Sequence, residues 1–359
     1  MTARPSARTD GLTHRDADWA GLRALVTGLG ISGFAAADAL LDRGAHVIVI
    51  DGTEPAEGSA MAERARILDI LGADLRFGSA VVDRMPSEEI DLVVTSPGWP
   101  PHQPLLAAAA EAGIPIWGEV ELAWRLRPAE GAAPWLTITG TNGKTTTVQM
   151  LTSMLRAAGL RAVSAGNVGT PILEVVMDPQ PFDVIAVELS SFQLHWSDSL
   201  APQASACLNV APDHVDWHGS YDEYVAAKGK VYANTEIACV YNVEDEQTRR
   251  LVEKADVQEG CRAIGFTLGV PGLSMIGIVD DVLADRAFVE ERRTSAAELA
   301  TVADVRGSAP TVAPHQLANA LAAAALARAH GIPAVAVRDG LRAFTPEPHR
   351  IAEAGTVAG

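Results

Sequence analysis

The stretch TITGTNGKTTT, Thr137 to Thr147, ends an apolar run with a glycine turn, a lysine and three consecutive threonines. The run WLTIT before the turn has strand character, and TTTVQMLTSMLRAAG after it carries Val148, Leu151 and Leu155 on one helical face. Strand, glycine turn, Gly143-Lys144-Thr145 and amphipathic helix are together the layout of a nucleotide phosphate site. Backbone N–H groups and the helix N-terminus there hold the phosphates, the lysine reaches their outer oxygens, and the threonine hydroxyl ligates Mg²⁺. The general pattern G-x-x-x-x-G-K-[ST] is not met in full, because Ile138 stands at its first glycine and the glycine falls instead at Gly140. A glycine turn with an incidental lysine is the alternative. The flanking strand and helix weigh against it, as does the scarcity of lysine: of 28 basic residues only Lys144, Lys228, Lys230 and Lys254 are lysines.

Outward from this loop, short β-branched runs alternate with helical periodicity from Trp19 onward, which reads as α/β units on a mainly parallel sheet. RALVTG, AHVIVID and IDLVVTSPG are strands of a first series, and FAAADALLDRG is a helix closed by Gly44. RPAEGAAP, Arg127 to Pro134, has linker composition, and WLTIT, VIAVE, ACLNV and IACVYN are strands of a second series. The expected plan is a flexible N-terminus over 1–18, a Rossmann-like domain over 19–127, a linker over 128–134, and a P-loop ATPase-type α/β domain over 135–345. Residues 346–359 read as the exit toward something further.

A chain of 359 residues exceeds what one core usually organises. Forty-five acids against 28 bases give a formal charge of −17, which repels nucleic acid and anionic membrane, and no basic patch offsets it. The first 18 residues lack the apolar core of a signal peptide, and no apolar run of about 18 residues occurs. Cys207, Cys239 and Cys261 are too few and too far apart in sequence for a metal knuckle or a disulfide framework. A cytoplasmic protein is expected, with neither nucleic-acid nor membrane partners.

Metal-assisted phosphoryl chemistry needs carboxylates at neighbouring strand ends. Glu188 closes VIAVE, and the APDHVDWHG loop offers Asp213 and His214. Taken alone, Glu188 is as consistent with an ordinary strand-end charge, and His214 with a structural role. SYDEYVAAKGKVY opens with Ser220 and Glu223 in capping-box spacing, so a helix starts there. Lys228 falls on that helix's apolar stripe. It snorkels, or it is placed for function: a partly buried amine has a depressed pKa and can act as a base or take up CO₂ as a metal-binding carbamate, which arginine cannot.

In the first series GLGISG, with Gly28, Gly30 and Gly33, follows a strand and opens a helix, and Asp51 ends the next strand. This is the context of a G-x-G-x-x-G phosphate-binding turn, whose ligand, NAD or a nucleotide sugar, the glycines leave open.

Together GTNGKTTT, ELSSFQL, GNVGTP, DHVDWHGSYDEYVAAKGKVY and PHQLANALAAAALA occur in an order that resembles the Mur ligases of peptidoglycan synthesis over nearly the whole chain. ELSSFQL with a Rossmann-like first domain is most similar to the D-glutamate-adding members. The resemblance implies ATP-dependent amide formation on UDP-N-acetylmuramoyl-L-alanine with D-glutamate, through an acyl phosphate. It implies ATP contacts from Gly140, Thr141, Asn142, Gly143, Lys144, Thr145, Thr146, Asn319 and Arg350. The UDP-sugar would sit on Gly30, Ile31, Ser32, Asp51, Gly52, Thr53 and Gly98, with Asn167, Ser191 and Gln193 at the muramoyl-alanine end. Lys144, Glu188, His214 and Lys228 would be catalytic. Two Mg²⁺ sites would draw on Thr145, Glu188, His214 and a carbamylated Lys228.

The same resemblance implies a third domain beyond Gly359 that supplies most of the D-glutamate binding. From it follow the expectations of a monomer and of weak or absent turnover by this chain alone. A nicotinamide-dependent oxidoreductase, suggested by the first glycines only, leaves Lys144, Glu188 and Lys228 without a role. A nucleotide-binding regulatory module would use the phosphate loop alone.

Overall fold

The computed structural model describes residues 6–307 and 310–345. Five strands form the first sheet: β1 (Arg23–Thr27), β2 (His46–Asp51), β3 (Asp74–Phe77), β4 (Leu92–Thr95) and β5 (Ile116–Gly118). Their order is β3-β2-β1-β4-β5 and every pairing is parallel. The order reverses beside β1, so the GLGISG turn that follows β1 opens at a topological switch point, where such sheets hold ligands.

The second sheet takes β6 (Trp135–Thr139), β7 (Ala162–Gly166), β8 (Val184–Glu188), β9 (Ala204–Cys207), β10 (Ala238–Asn242), β11 (Arg262–Phe266), β12 (Met275–Val279), β13 (Val282–Asp285) and β14 (Ala297–Thr301). The order is β14-β13-β12-β11-β10-β9-β6-β8-β7, parallel from β7 to β12 and antiparallel only at the β12-β13-β14 edge. β6 lies between β8 and β9, which places the loop after it at the second switch point. The helices Lys144–Ala157, Pro314–Ala329 and Ala334–Ala343 pack together on one face. Gly340 there lies so close to Met154 that a Cβ would sit 2.4 Å from its Cα.

Two sequence expectations are corrected. The strand read in ACLNV lies earlier, at Ala204–Cys207, because after Leu208 donates to the Thr139 carbonyl the chain leaves the ladder and Asn209 turns toward the phosphate loop. Over its described part the N-terminus is packed rather than free: Leu12 is 2 % exposed, Trp19 is buried, and Arg15 donates to the carbonyls of Leu126 and Val176. The two α/β series also share apolar core. Trp124 meets Trp135 edge-on at 5.0 Å across the 128–134 segment, and Glu121 accepts from the backbone of Asp198 and Ser199. No helix among the described residues is long and apolar enough to cross a membrane.

Candidate active site

The carboxyl ends of β6, β7, β8 and β9 surround one polar cavity of about 140 Å³, lined among others by Gly140, Lys144, Asn167, Ser191, His214 and Lys228. The turn from β6 to the Lys144–Ala157 helix places Gly143 at φ +85, a left-handed conformation that glycine adopts without strain. Lys144 Nζ curls over this turn and donates to the carbonyls of Gly140 and Thr141. Thr141 is stapled to the β9 loop through Ala211 and to Tyr224 Oη at 2.8 Å. Asn142 and Asn209 exchange two hydrogen bonds, side chain to backbone each way. Thr146 lies on the first helical turn, partly exposed.

Beneath the cavity, Thr145 Oγ1 donates to Glu188 Oε2 at 2.8 Å and Asn167 Nδ2 to Glu188 Oε1 at 2.9 Å. Glu188 is 1 % exposed, so its charge is compensated by two directed donors. Parallel pairing explains the meeting: Ile138 and Gly166 both register with Glu188, so the segments after β6 and β7 flank the end of β8.

Lys228 is 2 % exposed on the Tyr221–Gly229 helix, with Nζ 4.9 Å from the Tyr224 ring centroid. Burial pushes its ammonium down to about 8, with Lys144 repelling it further. Among the described residues no hydrogen bond or ion pair holds Nζ. His214 is half exposed, adopts φ +50 and places Nε2 3.3 Å from Asp213 Oδ2. Among the described residues no three acids, histidines or cysteines gather as a metal cluster. A hard cation would therefore draw on the Thr145 hydroxyl and the Glu188 carboxylate, the oxygen donors Mg²⁺ prefers. A cationic Lys228 would oppose it and a carbamate would not.

Not every expected residue points into the cavity. Gln193 uses its Oε1 in a capping box, accepting from Ser190 N, and donates its own backbone N–H to Ser190 Oγ. Asn319 packs against the loop, where a Cβ on Gly143 would lie 2.4 Å from its Oδ1. Arg350 lies outside the described residues. In the first domain Gly30 caps the Ile31–Asp42 helix and Ile31 is 59 % exposed at its start, beside Ser32. Asp51 accepts from the backbone of Leu29 and Thr53 at 2.8 Å each, with Gly52 between, and Gly98 follows β4 at the same edge. Sequence reasoning missed Ser190, Phe192 and Tyr224, which line the cavity, and the buried His218, which bonds Ser191.

Residues 138–327 match the Mur ligase middle domain, and residues 22–118 match the MurD-like Mur ligase N-terminal domain. The chain belongs to the Mur ligase family. It is 55% identical over 342 residues to the UDP-N-acetylmuramoylalanine--D-glutamate ligase of Streptomyces avermitilis, spanning 95% of this chain and 71% of that relative. The enzyme of the same name from Leifsonia xyli is 50% identical over 366 residues, 98% of this chain and 69% of that one. The fold is also that of the UDP-N-acetylmuramate:L-alanyl-gamma-D-glutamyl-meso-diaminopimelate ligase from Neisseria meningitides, with a TM-score of 0.56 at 18% identity over 91% of this chain and 99% of that one. As a Mur ligase the protein is an ATP-dependent ligase, and the nicotinamide-dependent and regulatory readings of its glycine turns are set aside.

Proposed function

We propose that this protein joins D-glutamate to UDP-N-acetylmuramoyl-L-alanine at the expense of ATP, as a cytoplasmic monomer. The observation that carries this is the convergence of Lys144, Asn167, Ser191, His214 and Lys228 on one cavity directly above the Thr145–Glu188 pair. An oxygen of the alanyl carboxylate attacks the γ-phosphorus of ATP, the bond to ADP breaks, and an acyl phosphate forms. The D-glutamate amine then attacks the acyl carbon, loses a proton, and phosphate leaves.

Lys144 would turn from the Gly140 and Thr141 carbonyls to the transferring phosphoryl group, where a preorganised cation stabilises spreading charge. The N–H groups of Gly143, Lys144, Thr145 and Thr146, at the start of the helix, hold the other phosphates. Asn167 and Ser191 orient the carboxylate end. Thr145, Glu188, His214 and a carbamylated Lys228 would hold two Mg²⁺, which would neutralise phosphate charge when bound. The sugar nucleotide's uridine diphosphate rests on the Gly30–Ser32 turn with Asp51, Gly52, Thr53 and Gly98, and Asn319 borders the nucleotide.

The experiment is calorimetric titration of the 359-residue chain with UDP-N-acetylmuramoyl-L-alanine and, in parallel, NADH, followed by phosphate release on adding ATP and D-glutamate. Binding of the UDP-sugar alone is expected. Binding of NADH alone overturns the reading.

A further inference from the structure

We propose that His218 is a positioning residue that directs the Ser191 hydroxyl proton into the cavity, so that Ser191 donates to an oxyanion of the bound ligand. This rests on the functional reading above, in which the cavity receives the alanyl carboxylate.

His218 Nε2 lies 3.0 Å from Ser191 Oγ, and both residues are buried. The imidazole is walled by Phe192 at 5.7 Å, Trp217 at 4.6 Å and Tyr224 at 5.5 Å between ring centroids. Its other nitrogen, Nδ1, is buried with no partner among the described residues. A doubly protonated ring would strand a buried N–H on Nδ1 without an acceptor, so the imidazole carries one proton.

That proton has two places. On Nδ1 it leaves a buried N–H without an acceptor, while Ser191 gives its own proton to Nε2. On Nε2 it is donated to Ser191 Oγ, and the nitrogen left bare is only a lone pair. Orphaned buried N–H groups are the rarer and costlier defect, so the Nε2–H tautomer is favoured. Ser191 Oγ then accepts from His218, and its hydroxyl hydrogen has no other acceptor among the described residues except whatever enters the cavity it lines. The neighbouring Ser190 is the opposite case: its Oγ lies 3.2 Å from Gln193 Oε1 and its proton turns inward. Two adjacent serines on one wall are thereby set apart, one closed on the helix cap and one open to an anion.

The tautomer is read directly by ¹⁵N NMR of the imidazole in the wild-type chain. Protonated Nε2 with bare Nδ1 is expected, and protonated Nδ1 overturns the proposal. For binding, H218F and S191A are each expected to weaken UDP-N-acetylmuramoyl-L-alanine about five- to tenfold, the scale of one charge-assisted hydrogen bond. The double variant should be no weaker than S191A, and H218Q, whose amide N–H can donate to Ser191, should recover most of the H218F loss. Additive losses, or H218Q as weak as H218F, overturn the positioning role. If the wild-type chain fails to bind the sugar nucleotide, the functional reading fails and the oxyanion claim with it, while the tautomer is still decided by NMR.

Discussion

The Thr145 hydroxyl and the Glu188 carboxylate meet at 2.8 Å, the one at the start of a helix and the other at the end of the neighbouring strand. Asn167 supplies the second donor, so Glu188 is an acceptor on both oxygens. In Glu188→Gln the amide N–H₂ must face one of these donors. A buried charge-assisted hydrogen bond contributes about 1.5–3 kcal/mol, and the variant should lose about that much stability by urea denaturation. Mg²⁺-dependent ATP affinity should fall at least about tenfold, the consequence of about 1.4 kcal/mol. Unchanged Mg²⁺ dependence would show that Glu188 serves only the fold.

Lys228 makes a prediction of pH dependence. Its folded pKa of about 8 lies below the ordinary value of 10.5, chiefly through burial. The unfolded chain therefore holds the proton between pH 8 and 10.5 when the folded one does not, so this residue's penalty is full below pH 8 and fades as pH rises through that window. Lys228→Met should raise stability at pH 7 by about 3 kcal/mol, following 1.36 kcal/mol per pKa unit, and the gain should vanish toward pH 10.5. Mg²⁺-dependent ATP affinity should fall in the same variant. A carbamate signal after incubation with ¹³C-bicarbonate, absent from Lys228→Met, is the expected ¹³C NMR result.

On the acid side His218 contributes. Its folded pKa of about 4 lies below the usual 6.5, and burial lowers His195 and His330 in the same direction. The unfolded chain takes up these protons first, so stability present above pH 6.5 is lost as pH falls toward 4. The denaturation midpoint should drop across that window, and it should drop less steeply in His218→Phe. Parallel pH profiles for the two proteins would rule the histidine out as the cause.

Glycine spacing in the first domain is a steric requirement. A Cβ on Gly33 would lie 1.8 Å from the Gly28 carbonyl oxygen, a backbone atom that cannot swing away. Gly33→Ala should cost about 2–3 kcal/mol by overpacking and weaken UDP-sugar binding by displacing the Gly28–Ser32 turn. Gly30, whose Cβ would meet nothing within 4 Å, is the control: Gly30→Ala should leave stability nearly unchanged. Equal losses would mean that helix approach is not what the third glycine secures.

Much of the site was legible because its parts are local. The order strand, glycine turn, lysine, helix over Thr137–Ala157 needs only residues a few positions apart, and so does the stripe that buries Lys228. The boundary of β9 was not legible. ACLNV has strand composition throughout, but Leu208 makes the last ladder bond and Asn209 is diverted to Asn142, 67 residues away. The bond by which Ser190, three residues earlier, donates its backbone N–H to Gln193 Oε1 was not legible either. Cys239 and Cys261, separated in sequence, bring their sulfurs to 3.8 Å because β10 and β11 pair in parallel register.

By itself the sequence determined the two α/β series, the phosphate turn, the anomalous lysine and the family, since helix and strand periodicity, turn chemistry and motif order are written in short spans. Only the tertiary structure decided which groups face one another. It set β6 between β8 and β9, closed Thr145 and Asn167 onto Glu188, and laid His218 against Ser191, 27 residues earlier. Those meetings depend on strand order and packing summed over the whole sheet, and no local propensity carries that information.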